Sequence, residues 1–286
     1  MIAKTVSHGC KQRWVSPICN ASANLLLIIT VFLELLSPMT TAYASNHFSD
    51  YTHNKSCPRA TFCDDFENQI GSNPSGAWQV SNPNCKGTGT ITIDRTLAHS
   101  GNTSIRINGR GGYCNHVFIG SKSAFTGVRT DLHVRFFIRH TTALPSNHVT
   151  FVAMKDTNDG GKDLRVGGQN KALQWNRESD DATLPVESPA GVALSVSLPT
   201  NQWQCLEFEV DETQGTANTW LNGIIVKGLH LDNEPTQDVD SQWMRRSNWR
   251  PSLADLRLGW ESYAGGDDTL WFDDVAVGSQ QIGCTL

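Results

Sequence analysis

Between Lys162 and Pro185 the chain reads KDLRVGGQNKALQWNRESDDATLP, its densest run of groups able to bind or transform a polar ligand. Arg165 and Gln169 are four residues apart, so in an extended segment they share one face. Gly167 and Gly168 between them carry no side chain, which lets a ligand or another backbone approach closely. Asp163 precedes them, and Trp175, Asn176, Arg177, Asp180 and Asp181 follow. Guanidinium, carboxamide, indole and paired carboxylates suit an acidic sugar. Arg holds a carboxylate bidentately, and a neighbouring amide bonds its second oxygen. A purely structural polar loop is the competing reading.

Three other clusters deserve the same reading. Near the C-terminus, Gly259-Trp260-Glu261-Ser262-Tyr263 offers Glu261 as a ligand contact and Tyr263 as a proton relay, with Trp260 assigned to the core. Asp64-Asp65-Phe66-Glu67, Ser100-Gly101-Asn102 and Asp273-Asp274 supply carboxylates and loop carbonyls, the hard oxygen donors that calcium prefers. Glu207 and Glu209 form a same-face carboxylate pair of the kind a glycosidase uses. No Gly-x-Ser-x-Gly elbow, His-Glu-x-x-His metal motif or phosphate loop is present.

These groups need a scaffold, and the pattern around them is that of strands. Short segments alternating apolar and polar residues recur at Thr90–Asp94, Ser104–Asn108, Asp131–His140, His148–Met154, Trp203–Val210, Asn218–Val226, Ala254–Gly259 and Thr269–Val277. Turn residues separate them, and no long window has a 3.6-residue period. This predicts an all-β sandwich or jelly roll of two packed antiparallel sheets with a concave ligand face. In Asp131–His140, Leu132, Val134, Phe136 and Ile138 face the core; His133, Arg135, Phe137 and Arg139 take the other face. Arg135 and Arg139 are therefore expected to line the sugar-binding concavity. Trp175 and Trp220 are the candidates for aromatic platforms.

The ends bound the compartment. Lys4, Lys11 and Arg13, an apolar run from Leu25 to Leu36 and Ala42-Tyr43-Ala44 predict a signal peptide over 1–44, cleaved after Ala44. An uncleaved anchor is the alternative, but the apolar run is far short of the roughly 20 residues that span a bilayer. Residues 45–60 read as a mobile polar segment and 61–286 as one domain. Cys57, Cys63, Cys85, Cys114, Cys205 and Cys284 remain after cleavage. That even number in an exported chain predicts disulfides, expected as Cys85 with Cys114 and Cys284 with Cys57 or Cys63. With a net charge of −5, the chain lacks the basic face that nucleic acid or anionic lipid would want.

Several of these stretches carry a resemblance. FCDDFE at 62–67, HSGNTSIRI at 99–107, GGYCNHVF at 111–118, DLRVGGQ at 163–169, QWNRESDDATLP at 174–185 and the closing GWESY, WFDDVAVG and IGC resemble the Cip family. These are cellulose-induced secreted proteins of fungi with bacterial relatives. The resemblance implies a concanavalin A-like jelly roll close to glucuronan and alginate lyases. It also implies a secreted, monomeric polysaccharide lyase acting by β-elimination on uronic acid polymers or plant-wall polysaccharide. Arg165 and Gln169 would neutralise the uronate carboxylate, Asp181 and Tyr263 would face the same cleft, Tyr263 would transfer a proton, and His148 would be a reserve base. A structural Ca2+ would be held by Glu67, Ser100, Asn102 and Asp273. At Asp163 the family leads one to expect histidine, which leaves the base open. A non-catalytic carbohydrate-binding module is the alternative, followed by a glycoside hydrolase on the same fold.

Overall fold

The structure, a computed structural model, describes residues 57–286 apart from Arg129; the expected signal peptide and most of the polar 45–60 segment lie outside the described residues. Strands are numbered in chain order. The back sheet runs β13 (Ile224–Ile225), β12 (Thr216–Leu221), β11 (Gln204–Asp211), β6 (Asp131–His140), β15 (Asp268–Gly278), β4 (Ser104–Gly109), β3 (Thr90–Asp94), with β1 (Phe62–Asp64) also paired to β15. The front sheet runs β10 (Ala182–Leu184), β9 (Ala172–Arg177), β8 (Lys162–Gln169), β7 (Val149–Asp156), β14 (Leu256–Ser262), β5 (Asn115–Ser121), β2 (Gln79–Ser81). Neighbouring strands in both sheets are antiparallel, and chain-distant strands lie side by side. This is the expected jelly roll.

Period-2 alternation builds the core. Leu132, Val134, Phe136 and Ile138 of β6 point inward and are buried with Phe151, Leu164 and Val166 of the front sheet. Trp175 joins the layers. Its indole Nε1 donates to Thr219 Oγ1 at 2.8 Å, and its ring meets Phe208 edge-on at 5.1 Å. The expectation that Trp175 is a sugar platform is therefore corrected. It is buried with Leu173, while its neighbours Gln174 and Asn176 take the opposite face. Arg177 shares Trp175's side of the strand. It is buried against the Trp243 ring at 4.9 Å and paired with Asp180 at 2.7 and 2.8 Å, so it too is structural.

Arg135 and Arg139 are placed on the outer face of the back sheet, not with Arg165. Arg135 is fully buried there, donating from Nη1 to the Asp274 carbonyl at 2.6 Å and lying 5.4 Å from the Phe137 ring. Burial lowers its pKa, against the pull of Asp274 and Glu207. Arg139 donates from Nη1 to the Asn201 carbonyl. The pattern correctly separated the two faces of β6, but it could not say which sheet carries the cleft.

The segment that begins at Cys57 and the C-terminal segment converge over this same outer face. Glu207 is buried and accepts the Ile282 N–H at 2.6 Å and the Gly283 N–H at 3.0 Å, so both oxygens hold the C-terminal segment. That engagement removes Glu207 from a glycosidase pair. Cys57, Ala276 and Ile282 form a small apolar cluster, with Ala60 and Cys63 against it. The disulfides are Cys57–Cys63, Cys85–Cys114 and Cys205–Cys284. Cys85–Cys114 is as expected. Cys284 is tied to β11 instead of to Cys57 or Cys63, because the C-terminal segment crosses β11 at the Glu207 end.

Cys205–Cys284 joins residues 79 apart and Cys57–Cys63 residues 6 apart. On a chain-entropy account, replacing the first pair by alanine costs about 4–5 kcal/mol and the second about 2 kcal/mol. Denaturant melts of the two double variants measure the difference; equal losses would show that loop closure does not set these contributions.

Candidate functional site

The outer face of the front sheet collects the polar groups. On β8, Leu164 and Val166 are inward, so Asp163, Arg165 and Gln169 point outward. The backbone between them is not open to a ligand. A Cβ at Gly167 would collide with the Val149 carbonyl, and one at Gly168 with the Leu144 side chain. The register of β7 against β8 shifts between Thr150 and Val152, and the bulge brings Val149 over Gly167. The glycines thus admit another backbone, which is one of the two uses their positions allowed.

Arg165 is the centre of this face and is 5% exposed. Its Nη2 lies 3.3 Å from Glu261 Oε1 and 3.5 Å from Glu178 Oε1. Ala153 stands between it and Arg257 in the cross-strand row, leaving room for both guanidinium groups. Glu261 also faces His116, whose Nδ1 is 3.6 Å from its Oε2. Burial pushes the Glu261 carboxyl above its usual range, against the pull of Arg165 and His116. It is therefore readier than an exposed glutamate to carry a proton.

Tyr263 hydrogen-bonds Glu261 and Arg165; burial and the Glu261 charge push its phenol up to about 12, against Arg165. It stays protonated at neutral pH and can donate. His148 precedes β7 on the same face. Burial, then the Arg165 charge, lower its pKa to about 4, against Asp181. Its imidazole is neutral at neutral pH and can accept a proton.

Asn176 donates from Nδ2 to Asp181 Oδ1 at 2.8 Å across the turn into β10. Asp181 holds a left-handed backbone, with φ of 56°. Gln169 hydrogen-bonds Glu187. Asp163 is engaged elsewhere: its carboxylate is chelated by Arg257, with Nη1 to Oδ2 at 2.9 Å. The position where a histidine was expected is thus half of a buried ion pair. Beside that pair, a concavity of about 410 Å³ lined by Lys155, Lys162, Asp163, Glu178 and Arg257 extends the face.

Sequence reasoning passed over His116, Thr150 and Gln174. His116 Nδ1 faces the Pro83 carbonyl at 2.8 Å, which makes that nitrogen the donor; its ring is 5.1 Å from Tyr263, edge-on. Tyr113, 77% exposed and 5.9 Å from Tyr263, forms an aromatic rim. The stretch GGYCNHVF contained both, but β5 does not alternate clearly enough to show which side chains share a face. Arg165 Nε, Glu261 Oε1, His116 Nε2, His148 Nε2, Thr150 Oγ1, Gln174 Oε1 and Asn176 Oδ1 are all buried without a hydrogen-bond partner among the described residues. Folded interiors rarely leave such atoms unpaired, since each costs free energy. Those on this face mark a surface that a polar ligand or water completes; the outer face of the back sheet holds a second group, on Arg106, Asp131, His133, Arg135 and Arg139.

The expected calcium residues flank one turn, 99–103. Glu67 Oε1 accepts the N–H groups of Asn102 and Thr103 at 2.8 and 2.7 Å. Asp273 Oδ2 accepts those of His99 and Ser100 at 2.7 and 3.3 Å, and the Ser100 hydroxyl donates to Asp274 at 2.7 Å. Burial and the adjacent Asp274 raise the Asp273 carboxyl to about 8. Two neighbouring buried carboxylates beside a turn rich in oxygen atoms are a donor set that fits a hard cation.

His148 has a stability consequence. Unfolded it binds a proton below its ordinary 6.5, and folded only below about 4. The unfolded state therefore holds more protons in that window, and stability falls as pH drops from 6.5 to about 4. Denaturant melts across this range should show a shallower pH slope in His148→Asn than in the unmodified protein. An unchanged slope would place the acid sensitivity in other groups.

A solved structure described as cellulose induced protein, Cip1, is 44% identical with a TM-score of 0.71, covering 78% of this chain and 99% of that one. An endo-β-1,4-glucuronan lyase from the fungus Trichoderma reesei is 13% identical with a TM-score of 0.46, covering 77% of this chain and 96% of the other. That distant likeness has no bearing on activity. Among curated protein sequences none matches significantly. Residues 65–280 match the polysaccharide lyase-like, Cip1-like core domain, and the chain belongs to that family.

Proposed function

We propose that the protein is a polysaccharide lyase that cleaves uronic-acid-containing polymers by β-elimination at the Arg165 face. The observation that carries this reading is a buried guanidinium flanked by a neutral imidazole and a protonated phenol, amid polar atoms that lack partners. In such a reaction the uronate carboxylate must be neutralised so that the adjacent C5–H becomes acidic. Arg165 and Gln169 do this, and Glu261, when protonated, adds a donor. His148 takes the C5 proton. The released electron pair forms the C4–C5 double bond as the C4–O bond breaks, and Tyr263 protonates the departing glycosidic oxygen. The Asp163–Arg257 concavity receives the next stretch of the chain.

A binding module without chemistry fits less well. Its hallmark would be exposed coplanar aromatics, and Trp175 is turned into the core while Trp220 lies on the back sheet. Three disulfides support an exported, oxidising location, and no helix among the described residues is long and apolar enough to cross a membrane. The protein acts as a secreted monomer on acidic or plant-wall polysaccharide.

Incubation with glucuronan, alginate and glucuronoxylan tests the chemistry. The expected product is the ultraviolet-absorbing unsaturated uronate. Arg165→Ala should lower kcat/KM by about 10²–10³-fold, the scale of losing one transition-state donor. Saturable binding with no product from any polymer would leave only the binding-module reading.

The same proposal extends to Ca2+ at Glu67, Ser100, Asn102 and Asp273, where the ion would tie the segment after β1 to β15 through the 99–103 turn. Binding only to the folded state raises stability, so chelator should lower the melting temperature and added Ca2+ restore it. An unchanged melt in both directions removes the ion.

A further inference from the structure

The outer face of the back sheet carries a second constellation, on the side of the sandwich away from Arg165. His133 of β6 and Glu209 of β11 are direct cross-strand partners. Asp131 lies two residues before His133 and so on the same face. One donor atom from each of Asp131, His133 and Glu209 lies within 4.8 Å of the others. His133 is 5% exposed, and its Nε2 stands 3.3 Å from Asp131 Oδ1. Its Nδ1 and the Asp131 Oδ1 are buried with no hydrogen-bond partner among the described residues. A buried imidazole beside two carboxylates, with one ring nitrogen facing Asp131 and the other unpaired among the described residues, is an arrangement that a cation completes.

The surroundings hold these donors in place. Asn218 donates from Nδ2 to Glu209 Oε2 at 3.0 Å, fixing that carboxylate, and its own amide oxygen is 2.5 Å from His230 Nδ1. Such outer contacts orient ligands in metal sites. On the other side His133 pairs with Gly278, over which the backbone of Arg59 and Ala60 lies. Asp211, opposite Asp131, accepts the N–H groups of Thr213 and Gln214 at 2.8 and 2.9 Å. It adds negative charge nearby without joining the donor set.

We propose that Asp131, His133 and Glu209 form a binding site for a divalent cation of the borderline class, with Zn2+ as the fitting ion. Imidazole with two carboxylates suits such an ion better than calcium, which takes oxygen alone. Three protein donors leave a position for water at the rim, where Asp131 is half-exposed. The ion bridges β6 and β11 on the face where the C-terminal segment is fastened. This site shares no residue with the Arg165 face or the Glu67–Asp273 turn, so its fate is independent of theirs.

The test uses the purified protein, stripped by chelator and saturated with Ca2+, then titrated with Zn2+ by calorimetry. One equivalent should bind. His133→Gln and Glu209→Gln should each weaken binding by at least about ten-fold, and Glu67→Gln should leave it unchanged. Because His133 is buried, Asp131→Asn at the rim provides a variant that does not open the interior, and it should show the same loss. Absence of saturable Zn2+ binding, or affinity in Asp131→Asn and Glu209→Gln unchanged from that of the unmodified protein, overturns the site.

Discussion

The contact around Trp175 fixes the relation of the two sheets. Its indole is packed against Phe208 and bonded to Thr219, both on the back sheet, while its own strand lies in the front one. Truncating a core tryptophan costs about 3–5 kcal/mol, so this anchor is worth much of a domain's net stability. More is at stake than energy. With Trp175 inward, Gln174 and Asn176 must point outward, and through the ladder of β9 to β8 so must Arg165. A slip of one residue would exchange the two sets.

That outward face tolerates what an interior would not. Arg165 and Glu261 are both nearly inaccessible, and each contacts an opposite charge without using all its hydrogen-bonding capacity. Burying charge is costly unless it is paired and bonded. The pair Asp163–Arg257, two positions along, is by contrast closely chelated. The difference separates a pair that stabilises the sheet from one held incomplete. The unmatched donors and acceptors lower the stability of this face, and on the proposed function a carboxylated sugar would supply the missing partners. Neutral His148 and protonated Tyr263 follow from the same burial, which disfavours the charged form of each.

The back sheet answers a different requirement. Its outer face would expose a buried-type arginine, Arg135, had the C-terminal segment and the residues from Cys57 onward not been laid across it. Glu207 gathers two N–H groups of the C-terminal segment, Cys205 binds Cys284 covalently, and Ile282 packs on Ala276 and Cys57. The sandwich is thus largely covered on one side by its C-terminal segment and left polar on the other.

The amino-acid sequence by itself specified the β class and the positions of several strands. Thr90–Asp94 and Asp131–His140 coincide with β3 and β6, because a strand with one face buried must alternate. It also singled out Arg165, Gln169, Asp181, Glu261 and Tyr263, since their clusters stood apart from the apolar pattern, and the fold carries them on or beside the front sheet. It misplaced Trp175, Arg177, Arg135 and Arg139. Within QWN at 174–176, nearness in sequence suggested a shared surface, whereas neighbours on a strand face opposite ways. The strand β5, with His116 and Phe118 outward and Val117 and Ile119 in the core, was hidden because both its faces are buried. Which sheet bears the cleft, and which cysteine meets Cys284, depend on strand order and on the path of the termini. Those are long-range pairings, and only the folded chain brings their partners within reach.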